Sequence, residues 1–134
     1  MLAPRPPMRI VLADDHHMVR SGLKILLEGM EGLQVAAEAA SWDDLIAMVE
    51  AHHPDVVLTD LNMPGRDGID GLRELRARCR RVPVVVLSMH DEAQTIWRAI
   101  SAGASGYVLK RTDAAELERA LRAVAAAGQY ISPG

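Results

Sequence analysis

The stretch DVVLTDLNMPG (Asp55–Gly65) joins a continuous apolar run to a carboxylate and then to a turn. Val56, Val57 and Leu58 do not alternate with polar residues, the pattern of a strand covered on both faces. Asp60 falls where such a strand stops. Met63-Pro64-Gly65 and Gly68 then shape a loop, proline fixing a turn and glycine tolerating positive φ. Working outward, four further apolar runs share this character: RIVLA (Arg9–Ala13), LQVAAEA (Leu33–Ala39), VPVVVLS (Val82–Ser88) and GYVLK (Gly106–Lys110).

Segments of helical period lie between them. Val19, Leu23, Leu26, Leu27 and Met30 mark the buried side of the first helix. Ser41 caps the second, with Asp44 three residues on and a stripe of Leu45, Met48, Val49 and His52. The middle helix, near Ile69, Leu72 and Leu75, is the least well marked. Asp91 with Gln94 opens the fourth, which runs through Ile96 and Ile100 and ends at Gly103 in a left-handed turn. Asp113 with Glu116 opens the fifth, carrying Leu117, Leu121 and Val124, and Tyr130–Gly134 reads as its end followed by a linker. Five strands alternating with five helices predict an α/β fold, a doubly wound five-stranded parallel sheet.

Composition narrows the function classes. The chain of 134 residues suits one domain, and with two Trp, two Tyr and no Phe its core must be aliphatic. A net charge of −3 gives no basic footprint for nucleic acid. One cysteine, Cys79, excludes an internal disulfide and fits a reducing compartment. The opening MLAPRPP is too short and proline-broken for a signal peptide. No apolar run reaches the roughly 18 residues of a membrane span. The expectation is a soluble, cytoplasmic protein with no membrane partner.

Chemistry concentrates where strands stop. The first run ends at Asp14-Asp15, the third at Asp60, the fourth at Ser88 and the fifth at Lys110. In an open parallel sheet the carboxyl ends share one edge, and ligands bind in the crevice there. Three carboxylates, a hydroxyl and an ammonium should therefore meet, although far apart in sequence. Carboxylates so close repel unless a cation sits among them. The donors are oxygens, which selects a hard ion such as Mg2+ over zinc. Such an ion would neutralise nucleophile and incoming phosphate together, leaving Asp60 free to attack phosphorus in line. Lys110 and the Ser88 hydroxyl would pair with phosphoryl oxygens.

The segments ADDHHMVRSGL, VVLTDLNMPGRDGI, VVVLSMH and AGASGYVLK, in this order and spacing, resemble the receiver domains of two-component response regulators over essentially all of Met8–Ile131. The resemblance implies a flavodoxin-like sheet of order 2-1-3-4-5. It implies that Asp60 accepts a phosphoryl group from a phosphohistidine of a sensor histidine kinase. Asp15 would then bind Mg2+ directly, Asp14 through water, and Asn62 through its backbone carbonyl, with Asp60 also in the metal set. Ser88 and Tyr107 would form a switch pair, the hydroxyl moving toward the phosphate and the ring rotating inward. The domain would catalyse only its own phosphorylation and dephosphorylation. The similarity extends to the subfamily with a LuxR-type helix-turn-helix output domain, implying transcription regulation, homodimerisation on phosphorylation, and DNA binding only through that domain. Residues 1–7 would be a flexible tail, 8–131 the receiver domain and 132–134 the start of a linker. Two departures stand out: Arg111 follows Lys110 where many receivers have a cis-proline, so no cis bond is expected, and Met89 is bulky where the family is often small. Met89 and His90 are expected to restrict access to the acceptor and to set the phosphoryl lifetime.

Other features read more plainly. His16-His17 should start the first helix and face solvent rather than bind a transition metal, and His52-His53 should suit a helix C-terminus. Arg73, Arg76, Arg78, Arg80 and Arg81 read as a solvated face, with Cys79 a bystander among them. Trp97, next to Ile96, is either an exposed partner surface or a ring folded partly over the core. Two rivals remain. A haloacid-dehalogenase-type phosphatase also uses a strand-end Asp and Mg2+, but it expects a second Asp where Asn62 stands. A pseudo-receiver would keep the fold as a binding module without phosphorylation.

Overall fold

The structure, a computed structural model, describes residues 6–127 and 130–131. Strands β1 (Met8–Ala13), β2 (Leu33–Ala39), β3 (Val56–Thr59), β4 (Val84–Ser88) and β5 (Gly106–Leu109) alternate with helices α1 (His17–Glu28), α2 (Trp42–His52), α3 (Gly68–Arg78), α4 (Ala93–Ser101) and α5 (Ala114–Ala127). All strand pairs are parallel, in the order β2-β1-β3-β4-β5. The expected sheet is present. Beyond β5 lies one addition, the two-residue strand β6 (Tyr130–Ile131), whose residues pair with Gly106 and Tyr107. Tyr130 and Ile131 therefore extend the sheet rather than end the last helix. Of the expected tail and linker, residues 1–5 and 132–134 lie outside the described residues. No helix among the described residues is long and apolar enough to cross a membrane.

Strand side chains alternate between two cores. Ile10 and Leu12 of β1, with Val56, Leu58, Val85 and Val108, pack with Leu27 of α1 and Leu117, Leu121 and Val124 of α5. Val11, Val57, Val86 and Tyr107 face Trp42, Leu45 and Val49 of α2, Leu72 and Leu75 of α3, and Ala99 of α4. Because helices cover both faces, the interior positions of β1, β3, β4 and β5 are apolar, which explains the unbroken runs in the sequence, while the edge strand β2 carries Gln34 and Glu38.

Helix ends follow local chemistry, with two surprises. Ser41 Oγ accepts from the Asp44 N–H at 3.2 Å and Asp113 Oδ1 from the Glu116 N–H at 2.8 Å, as expected. The fourth helix does not use Asp91: it starts at Ala93 without a side-chain cap, and Asp91 instead pairs with Arg111 at 3.2 Å. On α1, Leu27 is buried and Leu23 and Met30 pack beside it, while Val19 and Leu26 are exposed. That helix shares its sheet face with α5, so its inward seam is narrower than the apolar pattern suggests.

Candidate functional site

The carboxyl ends of β1, β3, β4 and β5 deliver the site. Asp14 follows β1 directly and is 1 % exposed; its N–H donates to Ala39 O at 3.1 Å. Its Oδ1 accepts from the His16 N–H at 2.8 Å, a short loop closed by an Asp side chain two residues back. Asp60, 7 % exposed, follows β3 and is fixed through its N–H to Ala13 O at 3.1 Å. Its Oδ1 accepts from the Asn62 N–H at 3.0 Å, and its Oδ2 lies 2.8 Å from Lys110 Nζ. The same ammonium reaches Asp14 Oδ2 at 3.4 Å. Asp14, Asp60 and Lys110 thus meet directly, across strands β1, β3 and β5.

Burial by itself would lower the Lys110 pKa. The hydrogen bond and charge of Asp60, reinforced by Asp14, outweigh it and hold the ammonium above its ordinary value. Asp15 sits on the same loop, and its Oδ1 meets His16 Nδ1 at 3.1 Å rather than Lys110. Ligand atoms of Asp14, Asp15 and His16 all lie within 4.8 Å of one another, a group able to hold a metal ion. Three carboxylates against one ammonium leave excess negative charge, and the donors are mostly hard oxygens. The residues fit a divalent cation.

Ser88 and Tyr107 are not on Asp60 but on the segment that follows β4. Ser88 Oγ accepts from the His90 N–H at 3.0 Å, and the Tyr107 hydroxyl donates to His90 O at 2.7 Å. The Tyr107 ring is turned inward, 2 % exposed, and burial raises its pKa. The His90 ring closes the circuit, its Nε2 lying 3.2 Å from Asn62 Nδ2. A cleft of about 370 Å3 opens over Asp60, lined by His16, Asn62, Met89, His90 and Lys110.

His90 therefore links Ser88, Tyr107 and the loop after Asp60. Two of its three links run through its main chain, which has no sequence signature. His16 was expected to face solvent. Its ring is largely exposed but turns onto both acids, Asp14 Oδ1 lying 3.3 Å from Nδ1. Arg20, which donates to Asp14 O at 2.7 Å, lay inside the motif ADDHHMVRSGL without a spacing rule to single it out.

The family described as response regulator receiver domain matches residues 10–122. The chain belongs to that family. This receiver domain is 39 % identical over 126 residues to the transcriptional regulatory protein DegU of Brevibacillus brevis, covering 94 % of this chain and 53 % of the relative. The chain thus spans about half the length of that relative. Among solved structures it is similar to a LuxR-family two-component response regulator from Aurantimonas sp. SI85-9A1, with TM-score 0.88 and 37 % identity over 94 % of this chain and 89 % of that one. It is also similar to the isolated receiver domain of RcsB from Salmonella enterica serovar Typhimurium, determined in the presence of the phosphomimetic BeF3-. That match has TM-score 0.85 and 27 % identity, covering 94 % of each chain.

Proposed function

We propose that this receiver domain is a phosphorylation switch in which Asp60 takes a phosphoryl group from the phosphohistidine of a sensor histidine kinase. The observation that carries this reading is the buried Asp60 carboxylate at the floor of the cleft, 2.8 Å from Lys110 Nζ. An Asp60 oxygen attacks phosphorus, the phosphorus–nitrogen bond breaks, and the imidazole leaves with the electron pair. Lys110 is placed to follow a phosphoryl oxygen, and the Ser88 hydroxyl, whose oxygen accepts from the His90 N–H, would turn its proton to another. Asp14, Asp15, Asp60 and the Asn62 backbone carbonyl would hold Mg2+, which supplies charge neutralisation for nucleophile and phosphate.

Phosphorylation adds roughly −1.5 to −2 charge at Asp60. A Ser88 hydroxyl drawn to that charge pulls on the His90 N–H, and through His90 O on Tyr107. The β4–α4 segment is the two-state element so biased. In the longer protein this change would control homodimerisation and a C-terminal helix-turn-helix domain that binds DNA in the cytoplasm, in keeping with the transcriptional role stated for DegU. Asn62, in place of a general acid, favours one stoichiometric event over the turnover of a phosphatase. Met89 and His90 on the cleft rim would restrict access and set the phosphoryl lifetime.

The test is intact-mass analysis with acetyl phosphate. Wild type with Mg2+ should gain one phosphoryl group, and Asp60→Asn or added EDTA should remove the gain. Multiple turnover of phosphomonoesters would replace this reading with the phosphatase; an unlabelled wild type would replace it with the pseudo-receiver.

A further inference from the structure

Three basic side chains attend the acid pair, and they differ in which oxygens they occupy. Lys110 lies on Asp14 Oδ2 and Asp60 Oδ2, and His16 lies on Asp14 Oδ1 and Asp15 Oδ1. Both therefore sit on carboxylate oxygens that a bound cation needs. Arg20 does not. Its Nη1 donates to the main-chain carbonyl of Asp14 at 2.7 Å, leaving the carboxylate oxygens of Asp14 and Asp15 to other partners. The guanidinium comes from the first turn of α1, where the Arg20 N–H donates to His16 O at 2.9 Å. Its side chain is only 15 % exposed, and its Nε donates to Glu38 Oε1 at 3.1 Å. Lys24 reaches the other Glu38 oxygen at 3.5 Å. Glu38 belongs to β2, in register with Leu12 of β1. One rigid fork therefore ties α1, β2 and the end of β1 together at the residue that starts the acid pair.

We infer that Arg20 is the positioning residue of the cation site. Adjacent carboxylates repel, and the loop that carries them splays unless its backbone is held. Arg20 fixes that backbone at Asp14 O and brings positive charge behind the acids without consuming a ligand oxygen. It touches neither ion nor phosphoryl group; it acts through Asp14. The inference rests on Asp14 and Asp15 being ligands of a divalent cation. A lysine keeps the charge but cannot span Glu38 and Asp14 O as a planar fork does.

Binding of Mn2+, read from the electron paramagnetic resonance of the free ion, tests this with the phosphorylation chemistry left out. Wild type should bind Mn2+ saturably and Asp15→Asn should lose it. Arg20→Met should bind about tenfold or more weakly, Arg20→Lys should recover part of the loss, and Glu38→Gln should fall between wild type and Arg20→Met. Melting in EDTA reports stability separately. An Arg20→Met protein that melts lower yet binds Mn2+ within twofold of wild type overturns the positioning role. If Arg20→Met does not fold, Arg20→Lys and Glu38→Gln decide: weakened binding in both supports the role, and wild-type affinity in both ends it. A wild type that ignores Mn2+ overturns the cation site itself, and the inference with it.

Discussion

Lys110 binds its proton more tightly in the fold than a free lysine, and that has a pH signature. A folded pKa raised above the unfolded value gives stability fully present below about pH 10.4, lost as pH climbs through the folded value. Tyr107 acts in the same direction: burial raises the phenol, so the unfolded chain ionises first above about pH 10 and stability declines there too. Urea midpoints of wild type should therefore fall more steeply above about pH 10 than those of Lys110→Met, and Tyr107→Phe should flatten the same limb. Superimposable alkaline slopes for wild type and Lys110→Met would show that the Asp60 pairing contributes nothing to the linkage. At this scale the meeting of Asp14, Asp60 and Lys110 could be read from the sequence, because a parallel sheet brings strand ends to one rim. The contacts of His16 and His90 could not. They depend on a ring turning back onto two acids and on main-chain bonds, neither of which leaves a pattern in residue type.

At the scale of elements, caps and glycines separate what the sequence dictates from what packing decides. Ser41→Ala should cost about 1 kcal/mol in denaturant unfolding, since Ser41 Oγ holds the Asp44 N–H. Asp91→Ala should cost no more than about 1 kcal/mol and often less, because its carboxylate serves an exposed ion pair with Arg111 rather than a helix start. The two residues look alike in sequence, but α4 starts one residue later than an Asp91 cap requires, with Glu92 at the cap position, and Asp91 turns to Arg111. The weak marking of α3 has a packing reason. Gly71 lowers its helical character, yet a Cβ there would collide with the buried ring of Trp42, so α2 and α3 approach only over a residue without a side chain. Gly71→Ala should therefore destabilise by about 1–3 kcal/mol despite its better helix propensity, measured by urea unfolding. A stabilised Gly71→Ala would mean that the tryptophan has room to move. Trp97, left open between core and surface by its spacing, is 71 % exposed.

Across the whole molecule, Arg76 fastens the end of the sheet opposite the site. It was expected on a solvated face with its neighbours. Instead its guanidinium donates to Gly103 O at 3.2 and 2.8 Å, Arg80 O at 2.9 Å and Val82 O at 2.8 Å. Burial lowers its pKa, and its partners are neutral oxygens on the α3–β4 and α4–β5 connections. Arg76→Ala should cost about 3 kcal/mol by orphaning those carbonyls, while Arg73→Ala, an exposed pair with Asp70, should stay within about 0.5 kcal/mol. Equal losses would deny the clamp. The parallel sheet and its order were legible because five apolar runs alternate with helices. Tyr130–Ile131 were not, since two residues are too few to show a period. Their pairing along β5 has a colloidal consequence. Among the described residues, β6 lies along part of one rim, and the seven residues of β2 form the other, longer one with no strand beside it. Unpaired backbone of that length can recruit strands from other molecules. Clumping of partly loosened protein under crowding thus has a preferred starting point, and a lysine at the exposed Gln34 is where such recruitment is most simply discouraged.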